Sequence, residues 1–314
     1  MIEFTDVSRS YASKVAVDGL SFQVRPGELF ALLGPNGAGK TTSLKMLVGL
    51  LRSDQGMIRV CGHDIVAETR AAARHLGYVP DQPFLYDKLS GREFLQFTGE
   101  MRGLDAESIG RRIDRESQRF RLGGFLDNLA ETYSHGMKQR VVFASALLHD
   151  PAVLVIDEPM VGLDPRSVRL VKDLLRRHAN AGRTVLMSTH TLSVAEEIAD
   201  RIGILHRGKL HFLGTVAELR EALSSHDASL EALFLTMTED LGQDWEMAAE
   251  QATALAAVAA DQFDAGTAED AADALPDTPT ETRPDIDVDP REPRDPRERR
   301  EEEATHSAQP RDRT

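Results

Sequence analysis

Residues 34–41, GPNGAGKT, have the residue types and spacing of a loop that holds phosphate groups. They fit the pattern G-x-x-x-x-G-K-[ST], and they lie between a short apolar run and a segment of helical composition, as the pattern requires. Backbone N–H groups of residues 36–41 can surround phosphate oxygens at the positive end of the following helix. We expect Lys40 to reach the β- and γ-phosphates of a nucleotide. We also expect Thr41 to bind Mg²⁺ through its hydroxyl group and Thr42 to add a phosphate contact.

Two adjacent acids stand at the end of a second apolar run. Residues 152–159, AVLVIDEP, are typical of a parallel strand that is buried on both faces. Successive strand residues point to opposite faces, but the chain turns where a strand ends, so both carboxylates can reach one site. We assign Asp157 to the metal ion and Glu158 to the general base that polarises water.

A third segment, residues 131–148, opens with polar residues and continues with the composition of a buried helix. Ser134 stands ahead of the apolar run, where a hydroxyl group most often caps a helix. The same arrangement can also present the helix N-terminus to a negative group. The segment taken alone leaves both interpretations open.

The elements that must position these residues alternate between strands and helices. Strands are predicted at residues 2–7, 15–24, 29–34, 56–62, 76–80, 152–157, 184–189 and 202–206, and helices at 40–50, 166–180 and 192–200. The region of about 84–150 is mostly helical, with apolar residues at helical spacing in 89–104 and 107–120. This order predicts an α/β core with a helical subdomain inserted into it.

Charge and composition argue against several classes of protein. The chain carries 51 acids against 37 bases, a net charge of −14, which argues against a general nucleic-acid binder. The single cysteine, Cys61, cannot form an internal disulfide bond. No apolar run approaches the roughly 20 residues that span a bilayer, so a role at a membrane requires a partner. The first residues, MIEFTDVSRSY, lack the apolar core of a signal peptide.

The end of the chain differs in composition from the rest. From residue 261 onward there are 17 acids and 8 bases, with frequent prolines and almost no aromatic residues. Such a segment cannot bury enough apolar surface to offset its conformational entropy. We therefore expect residues 261–314 to form a disordered acidic tail, preceded by a helical extension at 241–260.

The order of these motifs resembles that of the ATP-binding subunit of ABC transporters, over residues 1 to about 235. Besides the phosphate loop and Asp157, the resemblance rests on YSHGMKQR (133–140), GLDP (162–165) and STH (188–190). The form YSxGMxQR is similar to that of the export-type branch, whose membrane subunits are separately encoded. The resemblance implies an ATP-binding domain at residues 1–240, with a P-loop NTPase core, a mixed sheet, an N-terminal antiparallel β-subdomain and a helical signature subdomain at about 84–150.

The resemblance also implies roles for single residues. Tyr11 would stack on adenine, and Gln82 would join Thr41 and Asp157 on Mg²⁺ and contact the attacking water. His190 would bind the γ-phosphate and orient the water held by Glu158. The catalytic set is then Glu158, His190, Gln82 and Lys40. The residues expected to contact ATP are Tyr11, Gly34, Pro35, Asn36, Gly37, Ala38, Gly39, Lys40, Thr41 and Thr42.

Ser134 acquires a second role from the resemblance. In the family two copies pair head to tail, and the signature of one copy closes over the γ-phosphate held by the other. Here the signature is Ser134, His135, Gly136 and Met137, in which His135 and Met137 replace a Gly and a Gln of the family pattern. We expect the side chain of His135 to point away from the nucleotide. Asp164, in GLDP, would cross the dimer and link the two sites.

The function implied is ATP hydrolysis, with ATP and Mg²⁺, by a homodimer that drives a separately encoded transmembrane permease from the cytoplasmic face of the membrane, without nucleic acid. Phe84, Leu85 and Tyr86 are candidates for the permease contact, although an apolar trio of this size is equally compatible with subdomain core. Two alternatives share the fold: an ABC-type ATPase of DNA repair or the ribosome, and a regulatory cassette without catalysis.

Overall fold

The computed structural model describes residues 1–160 and 162–222 of the chain, together with Leu230 and Phe234. The strands within these residues are β1 (Ile2–Tyr11), β2 (Lys14–Val24), β3 (Leu29–Leu33), β4 (Gln55–Val60), β5 (His63–Asp64), β6 (Leu76–Val79), β7 (Val153–Asp157), β8 (Thr184–Thr189), β9 (Arg201–His206) and β10 (Lys209–Gly214). The helices are α1 (Lys40–Leu47), α2 (Thr69–His75), α3 (Gly91–Met101), α4 (Ala106–Phe120), α5 (His135–Leu147), α6 (Pro165–Asn180), α7 (Leu192–Ile198) and α8 (Val216–Ala222).

A six-stranded mixed sheet with the order β10-β9-β3-β8-β7-β6 forms the centre of the fold. Its five strands from β9 to β6 run parallel, and β10 pairs with β9 in the antiparallel direction. Every residue of β3 and β7 is buried, which explains why both sequences are continuous apolar runs. Because parallel strands end at the same edge of a sheet, the residues after Leu33 and those at the end of β7 meet there.

A second sheet, β2-β1-β4-β5, is antiparallel and lies in the N-terminal part of the chain. Phe22 from this sheet stacks between Phe4 and Phe30, with ring centroids 4.6 and 5.3 Å away. Phe30 belongs to β3, so the two sheets share one apolar core. The predicted mixed sheet and antiparallel β-subdomain are both confirmed.

Helices α3, α4 and α5 form the helical part of the fold. Ser90 caps α3 and Glu93 completes a reciprocal capping box, which fixes where the helix begins. Phe120 of α4 and Phe143 of α5 are fully buried and stack with centroids 5.9 Å apart. These contacts place the N-terminus of α5, with Ser134 as its cap, at the end of a rigid three-helix unit.

The structure differs from the sequence-based prediction at the ends of elements and by two elements that were not predicted, β5 and α2. Helix α1, predicted to run to residue 50, ends at Leu47, because Gly49 adopts a left-handed backbone conformation with φ of 77°. Strand β1, predicted to end at residue 7, continues to Tyr11 through irregularities in its pairing with β2. After β9 the chain continues with β10 and α8.

The predicted helical extension at 241–260 and the predicted disordered tail at 261–314 lie outside the described residues. Of the helices that the structure describes, none combines the length and the apolar character needed to cross a membrane.

The hydroxyl group of Tyr133 connects the start of α3 to the segment between α4 and α5 by hydrogen bonds. Its hydroxyl oxygen accepts a hydrogen bond from the N–H of Gly91 (3.0 Å), and its proton can go to the carbonyl of Phe125 (2.9 Å). Tyr133→Phe leaves these buried backbone groups without their partner, so we expect it to lower the free energy of unfolding by about 1–3 kcal/mol in urea titrations. Tyr86→Phe, at a half-exposed ring, is the control and should change it by no more than about 0.5 kcal/mol. Equal values for the two variants would contradict this role.

Candidate functional site

Two glycines shape the phosphate loop between β3 and α1. A Cβ atom on Gly34 would lie 2.3 Å from the carbonyl oxygen of Leu205, and one on Gly39 would lie 2.4 Å from that of Ala16. Gly39 also has a φ of 108°, which side-chain-bearing residues rarely adopt. The loop therefore passes directly over the backbone of β9 and β2 before α1 begins.

Lys40 is the first residue of α1, and its side chain folds back into the loop. The ammonium group donates hydrogen bonds to the carbonyl oxygens of Gly34 (2.7 Å) and Pro35 (3.3 Å). It also lies 3.6 Å from a carboxylate oxygen of Glu158, and only 6 % of the side chain is exposed. Burial lowers the pKa of Lys40, while the carboxylates of Glu158 and Asp157 act in the opposite direction. The loop thus holds a buried cation where it can meet phosphate oxygens.

Asp157, the last residue of β7, is fully buried beside Lys40. One carboxylate oxygen accepts a hydrogen bond from the hydroxyl group of Ser188, its register partner on β8. The other oxygen is buried and has no hydrogen-bond partner among the described residues. Burial raises the pKa of Asp157, and the nearby hydroxyl groups of Ser188 and Thr41 oppose that increase. An incompletely satisfied, buried carboxylate beside a threonine hydroxyl group is chemically suited to a divalent cation.

Glu158 reaches the same site because the chain turns sharply after β7. Its φ is 49°, in the left-handed region that non-glycine residues seldom adopt. The N–H of Glu158 donates to the hydroxyl oxygen of Ser188 (3.1 Å), which holds this turn in place. Its carboxylate lies 2.9 Å from the Nδ1 atom of His190. The backbone N–H of His190 also donates a hydrogen bond to this carboxylate (3.3 Å). Glu158 therefore stands between Lys40 and His190.

Two clefts meet at Glu158. The first, of about 330 Å³, contains every residue expected to contact ATP except Gly34, which instead packs on β9. Tyr11 lies at its edge, and the Arg9 guanidinium lies 5.2 Å from the centre of the Tyr11 ring. The second, of about 670 Å³, is lined by Gln82 and His135 among others. We name these the phosphate-loop cleft and the Gln82 cleft.

Sequence reasoning missed three contributors to this region. Asp81 lines both clefts, and Lys14 lines the phosphate-loop cleft near Tyr11. Ser188 connects Asp157 and Glu158 through its hydroxyl group. Asp81 precedes Gln82 and Ser188 belongs to the STH motif, so their positions could have drawn attention, but their contacts depend on strand register and tertiary packing.

Of the four signature residues, His135 lines the Gln82 cleft, whereas Ser134, Gly136 and Met137 line neither cleft. Ser134 caps α5, accepting a hydrogen bond from the N–H of Met137 (3.3 Å), and Met137 packs against the apolar core. Asp164 caps α6 by accepting from the N–H groups of Arg166 and Ser167. None of the signature residues, nor Asp164, lines the phosphate-loop cleft. The structure thus brings Lys40, Asp157, Glu158 and His190 together but leaves Ser134 and Asp164 apart from them.

The sequence left open whether the apolar residues 84–86 form a contact surface or part of the core, and the structure shows some of each. Leu85 is 3 % exposed and belongs to the core, so its assignment to a contact surface is corrected: burial removes it from any partner. Phe84 and Tyr86 are exposed, and their rings contact each other edge to face with centroids 5.6 Å apart. Phe97 and Met101 of α3 are exposed as well, and the Phe97 ring lies 6.1 Å from that of Tyr86.

Comparison with known proteins adds to this geometry. The sequence profile of the ABC transporter family matches residues 17–161. The Nod factor export ATP-binding protein I of Paraburkholderia xenovorans is 41 % identical over 208 residues, which are 66 % of this chain and 68 % of that protein. The daunorubicin/doxorubicin resistance ATP-binding protein DrrA of Streptomyces peucetius is 37 % identical over 238 residues, 74 % of this chain and 72 % of that protein.

A solved structure described as the ATP-binding subunit of an ABC transporter superposes with a TM-score of 0.72. It is 33 % identical in sequence, and the match covers 76 % of this chain and 99 % of that one.

Lys40→Met removes the buried cation while keeping an unbranched side chain of similar length. We expect ATP to bind about 10- to 150-fold more weakly in titrations with a fluorescent ATP analogue, because a charged hydrogen bond contributes about 1.5–3 kcal/mol. Lys45→Met, in the last turn of the same helix, is the matched control and should bind ATP as the unaltered chain does. Equal affinities for the two variants would show that Lys40 does not contact the phosphates.

Proposed function

The chain belongs to the ABC transporter family as an ATP-binding subunit with ATPase activity, and from this premise we propose that it supplies the energy for an exporter. The observation that carries the proposal is that Glu158 contacts both Lys40 and His190, and that Lys40 and Glu158 line the phosphate-loop cleft. The relatives named for Nod factor export and for drug resistance support the direction of transport. ATP binding closes two copies on each other, and hydrolysis and product release reopen them.

The reaction is attack by water on the γ-phosphate of ATP, giving ADP and phosphate. Glu158 accepts a proton from the water, and its two contacts, with Lys40 and His190, fix the carboxylate at the end of β7. Lys40 neutralises charge on the β- and γ-phosphates, and the N–H groups of the phosphate loop hold them in position. Gln82, which lines the Gln82 cleft with Glu158, and His190, which contacts Glu158, position the water.

Mg²⁺ fits the residues beside the phosphate loop. The unpartnered oxygen of Asp157 and the hydroxyl group of Thr41 are hard oxygen donors of the kind Mg²⁺ prefers, and Gln82 is a third candidate. No group of three His, Cys, Asp or Glu in the described part of the chain could hold a metal ion by itself. The ion would therefore depend on nucleotide oxygens for the rest of its ligands. When bound, it supplies charge neutralisation at the phosphates.

A homodimer follows from the separation of the site into two parts. Ser134 and Gly136 are accessible at the N-terminus of α5, and no side chain crowds Gly136 more closely than Leu163 at 4.0 Å. A helix N-terminus with an exposed hydroxyl group suits a phosphate, but the phosphate loop of the same chain lies elsewhere. We assign the missing contact to a second copy, whose signature covers the γ-phosphate and whose Asp164 links the two sites.

The membrane partner is a separately encoded permease that places this subunit peripherally on the cytoplasmic face. An exposed apolar surface, formed by Phe84, Tyr86, Phe97 and Met101, supports this assignment. Exposed apolar patches of this kind mark contact sites. The DNA-repair and ribosomal alternatives receive no support from the export-named relatives, and the placement of Lys40, Glu158 and His190 argues against a regulatory cassette.

Asp157→Asn tests the metal assignment. Asn retains an oxygen for Ser188 but removes a buried charge, so we expect the melting temperature without ligands to stay equal or rise. The gain in melting temperature from ATP with Mg²⁺, relative to ATP with EDTA, should disappear. Asp173→Asn, at an exposed site on α6, should retain that gain. A full Mg²⁺-dependent gain in Asp157→Asn would place the ion elsewhere.

Glu158→Gln tests the base. The amide keeps the size of the side chain but cannot accept the proton, so ATP hydrolysis should fall by about 10²- to 10⁴-fold. ATP and Mg²⁺ should still bind, and the variant should accumulate as an ATP-bound dimer in light scattering. Glu197→Gln, which alters an exposed ion pair with Lys172, is the control and should hydrolyse ATP normally. Near-normal hydrolysis in Glu158→Gln would assign the base to another group, with His190 the first alternative.

A further inference from the structure

His135 lies at the first position of α5, next to the capping residue Ser134. It stands where the family pattern has a glycine, so this chain has an imidazole ring at a position where the pattern has no side chain. Its ring lines the Gln82 cleft on one side. On the other side it packs against residue Gly162, in the turn that leads to α6. The side chain is therefore held at its own subunit's turn.

The contact with Gly162 is close enough to fix the turn. A Cβ atom built on Gly162 would lie 2.7 Å from Cδ2 and 2.9 Å from Nε2 of His135. The backbone of Gly162 also has a φ of 73°, which favours glycine independently of the ring. Both the conformation and the space around this position thus require a glycine, and the space is set by His135.

A second contact runs alongside the first. A Cβ atom on Gly136 would lie 4.0 Å from the Cδ2 atom of Leu163, an ordinary van der Waals separation. Leu163 itself packs against the apolar core. Two consecutive residues of the signature therefore face two consecutive residues of the turn, and His135 makes the tighter contact.

These contacts join the N-terminus of α5 to the turn before α6. In the proposed dimer, both would face the second copy. Ser134 precedes His135 by one residue, and Asp164 follows Gly162 by two. Asp164 is fixed from its other side by capping α6, with its carboxylate accepting from both the N–H and the hydroxyl group of Ser167. With a glycine at 135, no side chain would fill the space over Gly162.

The geometry points to His135 as a positioning residue that sets the distance between Ser134 and Asp164 within one subunit, by packing its ring on Gly162. This inference rests on the proposed ATP-dependent dimer. It assigns the added side chain to the assembly of the composite site, rather than to contact with the nucleotide. His135→Gly then loosens the turn without altering the phosphate loop.

The experiment compares His135→Gly, His135→Phe and Gly162→Ala in the Glu158→Gln background, by light scattering at saturating ATP and Mg²⁺. His135→Gly should weaken ATP-dependent dimerisation about 5- to 20-fold, a coupling typical of residues in contact. Affinity for a fluorescent ATP analogue below the dimerisation concentration should stay within about twofold, since the phosphate loop is untouched. His135→Phe, which keeps a flat ring over Gly162, should dimerise within about twofold of the parent.

A double-mutant cycle isolates the contact. Gly162→Ala carries two costs, the left-handed backbone and the clash with the ring, and only the clash disappears when His135→Gly is added. The alanine should therefore weaken dimerisation several-fold less in the His135→Gly background than in the parent. Glu107→Gly, in the first turn of α4 and 82 % exposed, controls for the cost of glycine in a helix and should dimerise normally.

Three results would overturn the inference: equal effects of Gly162→Ala in both backgrounds, equal losses in His135→Phe and His135→Gly, or weaker ATP-analogue binding in His135→Gly. A parent that never dimerises with ATP would instead refute the proposed dimer. In that event the contact is read independently from the imidazole NMR signals of His135 in the otherwise unaltered chain. Gly162→Ala should shift those signals, and unchanged signals would show that the ring does not pack on the turn.

Discussion

The structure depends on keeping an ammonium group and two carboxylates together in a largely buried place. Lys40 comes from the start of a helix, whereas Asp157 and Glu158 come from the end of a strand. Burial penalises every one of these charges, and only their proximity and a few hydrogen bonds offset that cost. This requirement explains the local architecture: glycines that let the loop pass over β9, a left-handed turn at Glu158, and a hydroxyl group on β8 that braces both acids.

That arrangement leaves one polar atom of the site without a partner in the described part of the chain and one residue in an unfavourable backbone conformation. One oxygen of Asp157 is buried without a hydrogen-bond partner among the described residues, and Glu158 holds a backbone conformation that costs energy. Both features lower the stability of the isolated fold. In the proposed mechanism, the oxygen of Asp157 would bind the cation and the turn at Glu158 would direct its carboxylate toward the phosphate groups. The parallel sheet can tolerate them because β7 is itself buried and pairs with a parallel strand on each side, β6 and β8.

Much of this could be predicted from the sequence, because the informative signals were local. The phosphate loop depends on a few glycines and one lysine in a fixed order, and the burial of β3 and β7 follows from continuous apolar runs. Other features required long-range packing. Ser188 became relevant only through its register with Asp157, and Leu85 separated from Phe84 and Tyr86 only because the chain turns its side chain inward. The end of α1 at Leu47 depended on the conformation of Gly49.

The contacts of Glu158 also suggest how this carboxylate is kept paired until a nucleotide binds. Its two carboxylate oxygens face Lys40 and His190, and Lys40 is shared with the carbonyl groups of the phosphate loop. A γ-phosphate would compete for the same ammonium group, since a phosphate attracts it more strongly than a single carboxylate does. Nucleotide binding would then draw Lys40 away from Glu158 and leave the carboxylate with His190. On the proposed mechanism, Glu158 would be released from its cation only after the nucleotide is in place.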